Sequence, residues 1–252
     1  MQNRKILLSV LIAFFLAFNA SAQRMELGVV AGGASYIGDL NQNDLFKVSG
    51  VTGGAFANYN FTPHIGVGLH YNYGNITGND NNSKNIDFRN RGINFNTDLH
   101  EISIIGEINF LDAFSPISKR RFTPYIFAGV GRVYFKSSAS YHNFSSSNLR
   151  KERTEGQLQE YKPHSVTIPY GAGVKYKLTN YFTLSSQIGY RTAFTDYLDD
   201  VSGYYTGYTA PSNPNGYGEI GGQRGDLRKR DNYMFVSIGI SYNFVSQKCF
   251  TF

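Results

Sequence analysis

The sequence predicts an all-β fold: an eight-stranded antiparallel up-and-down transmembrane β-barrel with short periplasmic turns and long extracellular loops. Three observations carry this. A secretion signal opens the chain, apolar residues alternate with small or polar ones in segment after segment, and the connections alternate in length. The stretch 65–74 shows the alternation most clearly. Ile65, Val67, Leu69, Tyr71 and Tyr73 fall on one face of a strand, and Gly66, Gly68, His70, Asn72 and Gly74 on the other. Behind a secretion signal, the recurring pattern suits a barrel whose apolar face meets lipid.

The signal occupies residues 1–22. Basic Met1-Gln-Asn-Arg-Lys5 leads into the apolar run Ile6–Phe18 and the small-residue site Ala20-Ser-Ala22. The run falls short of the roughly 20 residues of a spanning helix. Cleavage leaves Gln23 first, with no cysteine at the cut to take a lipid anchor. The barrel domain is then 23–252, including a short periplasmic tail at 245–252, and both mature termini are periplasmic.

A mean hydropathy of −0.31 would suit a soluble protein. Barrel strands hide their apolar character from such averages, because every second residue faces inward. The 19 Tyr and 20 Phe, with no Trp, suit aromatic girdles at the membrane interfaces. The precursor's net charge of +6 falls to +4 without Arg4 and Lys5. These cations cluster in predicted loops and accompany no nucleic-acid motif, so anionic head groups or an acidic protein are the expected partners. Cys249 is the only cysteine, so an intramolecular disulfide is excluded.

Eight segments alternate. The first, Met25–Ile37, sets Leu27, Val29 and Ala31 against Gly28, Gly32 and Ala34. The second, Val51–Phe61, presents Val51, Ala55, Ala57, Tyr59 and Phe61 outward, and Thr62-Pro-His64 turns the chain into the third, Ile65–Gly74. The fourth, Leu99–Leu111, puts Ile102, Ile104, Ile108 and Phe110 outward and Glu101, Ser103, Glu107 and Asn109 inward.

In the fifth, Pro124–Phe135, Ile126, Phe127, Val130 and Val133 do not alternate cleanly, and its facing stays open. The sixth, Val166–Leu178, puts Ile168, Tyr170, Ala172, Val174 and Tyr176 outward and Gly171, Gly173, Lys175 and Lys177 inward. Thr179-Asn180 turns into the seventh, Phe182–Thr192. The eighth, Tyr233–Phe244, presents Met234, Val236, Ile238, Ile240, Tyr242 and Phe244 outward.

Connections after the even segments read short and those after the odd ones long, the last spanning roughly 193–231. Eight strands enclose an interior that side chains just fill. His70, Glu101, Glu107, Lys175, Lys177, Gln187 and Arg191 are therefore expected to form a polar plug, because buried charges must be paired.

No arrangement for catalysis stands out. His100 and Ser103 differ in parity, so they take opposite faces. His164-Ser165, and His142 with Ser145, lie in or beside a long loop, and no nucleophile, base and orienting group come together. Gly129-Val-Gly131 and Gly171-Ala-Gly173 lie inside strands without the helix and Lys of a phosphate loop. The histidines and Cys249 lack metal-ligand spacing, so no cofactor is expected. Asp39, Asp196, Asp199 and Asp200 could gather round calcium, but aspartate is also an ordinary turn residue. Arg150, Lys151, Arg153, Arg224, Arg228, Lys229 and Arg230 sit in loops level with lipopolysaccharide phosphates.

Several motifs resemble the PorG family of Bacteroidota outer-membrane barrels. They are Tyr36-Ile-Gly38-Asp39-Leu-Asn41, the run Arg191–Ser202 (with Asp196, Tyr197, Asp199, Asp200 and Ser202), Ile168–Tyr176, and the late Lys248-Cys249. Phe250 stands where the family often has proline. The resemblance implies a non-enzymatic component of the type IX secretion system, associated with gliding motility. Such a component would anchor a periplasmic ring of a PorK-like lipoprotein and a PorN-like protein to the outer membrane. On this chain the periplasmic surfaces open to such partners are Lys119, Arg120, Arg121 and Phe122 in the second turn, and Lys248 and Cys249 in the tail. The alternatives are a general envelope-stabilising or adhesive barrel and, last, a lipid-modifying enzyme.

Overall fold

A computed structural model describes residues 25–37, 48–79, 89, 94–113, 118–141, 144–146, 162–198 and 230–244. The strands are β1 (Met25–Ile37), β2 (Gly50–Asn60), β3 (Ile65–Asn79), β4 (Asn94–Asn109), β5 (Phe122–Tyr141), β6 (Phe144–Ser146), β7 (His164–Lys177), β8 (Phe182–Ala193) and β9 (Asp231–Asn243). Every pairing is antiparallel. Leaving β6 aside, each strand pairs with the next in sequence, β5 with β7 included, and β1 pairs with β9, so eight strands close into a barrel. β6 only folds back on the end of β5. The predicted up-and-down barrel is the fold observed.

Closure gives every barrel strand a paired neighbour on both sides and abolishes free edges. One gap has a visible cause. The β5–β7 ladder skips Gly129 and Val130, where the register brings in Pro169, which has no N–H to give. At one end the strands are joined through 61–64, 110–121 and 178–181, and at the other through 38–49, 80–93, 142–163 and 194–230. These are called below the short-connection and long-connection ends. The stretch 110–121 is as long as 38–49, so the alternation in length is less strict than the sequence suggests.

The two faces of the wall are chemically inverted relative to a soluble domain. Leu69, Ile104, Val130 and Ile238 are all more than half exposed outside, while Glu101, Lys175 and Arg191 are almost fully buried inside. Outward aromatic side chains gather at the short-connection end. Tyr59 meets Phe61 with ring centroids 5.1 Å apart, Tyr181 stacks on Tyr242 at 6.0 Å, and Tyr242 meets Phe244 at 5.1 Å.

The structure assigns the facing of β5 that its sequence leaves open. Tyr125, Phe127, Val133 and Phe135 point inward and are buried, while Ile126, Val130, Arg132, Tyr134 and Lys136 point outward and are exposed. Met234 departs from expectation. Its parity is outward, but it is 2% exposed, between Ser35 and Tyr190 in the ladders.

Glycines on the inner wall stand where large side chains cross the lumen. A Cβ on Gly173 would lie 2.7 Å from the Tyr125 ring, one on Gly171 2.7 Å from Phe127, and one on Gly74 2.5 Å from Phe235. The same holds for Gly66 and Gly68, where a Cβ would strike the Asn60 and Asn58 side chains.

Candidate functional site

The lumen is built in two storeys. Near the short-connection end, Lys175 of β7 extends its Nζ to Glu107 Oε2 of β4 at 2.6 Å and to Glu26 Oε2 of β1 at 3.4 Å. Ser241 donates to Glu26 Oε1 at 2.6 Å. The Lys175 ammonium also lies 5.0 Å from the centroid of the Tyr125 ring, whose hydroxyl donates to Gln187 Oε1 at 2.9 Å. Three strands that are not neighbours in the wall are thus tied across the interior by one ammonium. Charges this deep persist only when paired and hydrogen-bonded.

A second ionic group forms further up. Arg191 Nε of β8 lies 3.6 Å from Glu101 Oε1 of β4, and the Tyr233 hydroxyl of β9 donates to Glu101 Oε2 at 2.5 Å. The guanidinium sits 4.2 Å from the centroid of Phe235 and donates to the Gly189 carbonyl at 2.6 Å. His70 Nε2 bonds Asn58 Oδ1 at 3.0 Å. Lys177 is only half-buried, at the short-connection rim.

Above this level the polar expectation gives way. The interior of the long-connection half is lined mainly by apolar and aromatic side chains: Ala34, Tyr36, Ile76, Phe95, Leu99, Val133, Phe135, Tyr233 and Phe235 form one buried cluster, which Arg191 joins from β8 and Leu198 closes over. Leu198 belongs to the start of the β8–β9 connection, which dips into the mouth. The Thr97 and Ser137 hydroxyls donate to its carbonyl at 2.6 and 3.1 Å, and its own N–H donates to Asp231 Oδ2 at 2.9 Å. The Tyr36 hydroxyl donates to the other oxygen of Asp231 at 3.2 Å, and the Tyr36 ring meets Phe95 edge-on at 5.1 Å.

Two motifs singled out in the sequence therefore meet at one place. Tyr36 points into the lumen beneath the cap, and Asp196 and Tyr197 lead into it, Tyr197 packing on the buried cluster. Gly38, Asp39, Asp199, Asp200 and Ser202 lie outside the described residues, as do Lys248, Cys249 and the tail. His100 and Ser103 stand on opposite faces, exposed and buried.

Lys119, Arg120 and Arg121 in the connection between β4 and β5, and Phe122 at the start of β5, are exposed. Arg120 pairs with Asp112 at 3.3 Å, and the Ser118 hydroxyl donates to the same carboxylate at 3.3 Å. Only Lys119 and Arg121 of this basic run lack an ion pair among the described residues. Arg121 also accepts a backbone bond from Lys177 at 2.6 Å, which fixes the turn to the barrel rim.

Sequence reasoning missed Glu26, Tyr125, Tyr233 and Leu198. Inward parity at the start of β1 was the available signal for Glu26, and the apolar residue inside the acidic run 196–200 was the signal for Leu198.

Solved structures similar to this one include Neisserial surface protein A at 12% identity, covering 87% of this chain and 97% of that one with a TM-score of 0.46. Ail, the attachment invasion locus protein of Yersinia pestis, is 11% identical, with 88% and 99% covered and a TM-score of 0.43. The N-terminal β-barrel domain of Pseudomonas aeruginosa OprF is 13% identical, with 87% and 97% covered and a TM-score of 0.40. No curated protein matches the chain. One protein family does, over residues 4–252, and the chain belongs to it: the family described as a domain of unknown function, DUF6089.

Proposed function

We propose that this protein is exported and inserted in the outer membrane as a non-enzymatic barrel that works through its two ends, anchoring a periplasmic ring of the type IX secretion system. The observation that carries this reading is the inverted wall: an apolar exterior around an interior crossed by ion pairs and closed by an apolar cluster. Lipid is the solvent that suits such an exterior. An interior tied in this way offers no open channel. Activity is then left to the surfaces at either end.

The resemblance to the PorG family supplies the system, and the short-connection end, taken as periplasmic, supplies the surface. Of the basic turn, Lys119 and Arg121 are the cations that an acidic patch on a PorK-like lipoprotein or a PorN-like protein would meet, with Phe122 beside them. Arg120 is occupied by Asp112. Deletion tests the function: loss of cargo secretion from cells with an intact envelope is expected, whereas leaky cells that secrete normally would point to a general envelope barrel. Co-purification tests the surface. Lys119→Glu with Arg121→Glu is expected to lower recovery of the ring lipoprotein, and undiminished recovery would remove this turn from the interface.

A further inference from the structure

We propose that the outer face of β4, β5 and β7, at the long-connection edge of the apolar exterior, binds the phosphate-bearing head group of an outer-leaflet lipid of the lipopolysaccharide class. The inference rests on the membrane placement argued above and concerns a different surface from the ring contact. Along the described strands, the outward-facing Lys and Arg are Arg132 and Lys136 alone, both on β5 and both exposed. A barrel held at the interface by general attraction to anionic lipid would spread such charges round its circumference. Here the two strand cations stand on one wall; off the strands, exposed Arg230 beside β9 lies over the Phe194 ring, 4.9 Å from its centroid.

The register builds a compact surface around them. Tyr134 lies between His100 of β4 and His164 of β7, Arg132 between Ile102 and Val166, and Lys136 opposite Asp98. The Arg132 guanidinium carbon is 5.6 Å from the centroid of the Tyr134 ring, which is itself 5.7 Å from the His164 ring. Tyr71 OH and His100 Nδ1 are 2.8 Å apart on the same face. Exposed Lys162 precedes His164 by two residues. Asp98 offsets one of these charges, and its carboxylate is held toward β3 rather than on Lys136. Its Oδ1 accepts from Tyr73 OH at 2.9 Å and Asn75 Nδ2 at 2.8 Å, and no described ion pair joins it to Lys136.

The level of the patch selects the ligand. Arg132 shares its row with Tyr71, Ile102 and Val166. Toward the short-connection end stand the exposed pair Ile104 and Val130, and exposed Ile168 of β7. A soluble acidic protein could reach Lys136 and Lys162 but not a guanidinium at the edge of the apolar wall. A lipid satisfies both halves, with acyl chains beside Val130 and a phosphate taken by Arg132 in a two-pronged contact and by Lys136 as a point charge.

Native mass spectrometry of the full barrel in neutral detergent tests this, titrating diphosphoryl lipid A, dephosphorylated lipid A and inorganic phosphate. The wild type is expected to prefer the diphosphoryl form by about tenfold or more. Arg132→Gln with Lys136→Gln should abolish that preference, while Arg132→Lys with Lys136→Arg and the opposite-end control Lys119→Gln with Arg121→Gln should keep it. Heat-modifiable gel migration confirms that each variant is folded. A preference unchanged in the Gln variant overturns the proposal, as does displacement of the lipid by inorganic phosphate. Capture of an acidic protein that the Gln variant loses, without any lipid A preference, overturns it in favour of a protein partner. Fractionation of wild-type cells keeps the two readings apart: recovery outside the outer membrane sinks the membrane reading, whereas correct location without lipid A preference sinks only this one.

Discussion

Replacing Lys175 by methionine leaves Glu26 and Glu107 buried in the lumen without the ammonium that joins them. Two charge-assisted bonds disappear, at about 1.5–3 kcal/mol each. Their sum, about 3–6 kcal/mol, agrees with the roughly 3–5 kcal/mol cost of stranding one side of a buried ion pair. Glu107→Gln is a different perturbation although it removes the shorter contact. Lys175 keeps Glu26, the group changes from two carboxylates and one ammonium to one of each, and the expected cost is about 1 kcal/mol or less. Glu26→Gln behaves similarly, with Ser241 still able to donate to the amide oxygen. Methionine at 175 with glutamine at both 26 and 107 should recover most of the loss, because no charge is then stranded. The assay is urea unfolding in lipid vesicles, with the folded fraction read from gel mobility. If Lys175→Met costs no more than Glu107→Gln, the reasoning from charge balance is wrong.

Three further tests probe the wall, the glycines and the cap. Leu69→Arg should cost about 2–4 kcal/mol in the same assay if Leu69 faces the bilayer midplane, while Asn94→Arg at the long-connection rim should cost almost nothing; equal effects would refute the lipid-facing assignment. Gly129→Ala drives a Cβ into the Ile104 carbonyl, whereas Gly106→Ala meets nothing closer than 3.7 Å, so only the first should destabilise, by about 1–3 kcal/mol. Leu198→Ala should cost about 2–5 kcal/mol by opening a cavity beneath the cap, and it should make the β8–β9 connection more sensitive to protease. Protection equal to wild type would show that the cap is not held by that side chain.

The strands were legible wherever the two faces differ in polarity. On β4, Ile102, Ile104 and Ile108 alternate with Glu101, Ser103 and Glu107, and parity alone assigns each residue its side. On β5 the same logic fails. Tyr125, Phe127, Val133 and Phe135 make the inner face as apolar as the outer, while Arg132 and Lys136 put charge outside. The apolar upper storey went unread for the same reason, since Leu99 and Phe235 look like lipid-facing residues out of phase. Pairings were further from view. Glu26 lies 149 residues from Lys175, and which inner side chains meet depends on the stagger of strands round the ring. Leu198 sits in an acidic run that reads as loop, and only the tertiary position of Asp231 shows that its N–H is held.

The seam between β1 and β9 sets the order in which this molecule can be made. Glu26 to Ile37 pair with Asn243 back to Asn232, so the first strand synthesised waits for the last before its free edge is covered. In hydrocarbon an uncovered edge exposes a row of N–H and C=O groups at several kcal/mol each. A chain that entered the bilayer strand by strand would carry that penalty until residues 231–243 arrived. With the proposed membrane placement, this seam favours insertion that is close to all-or-none, after the last strand has been made. The β9 segment then acts as the clasp, and a chain ending before Asp231 has no low-energy form in the membrane.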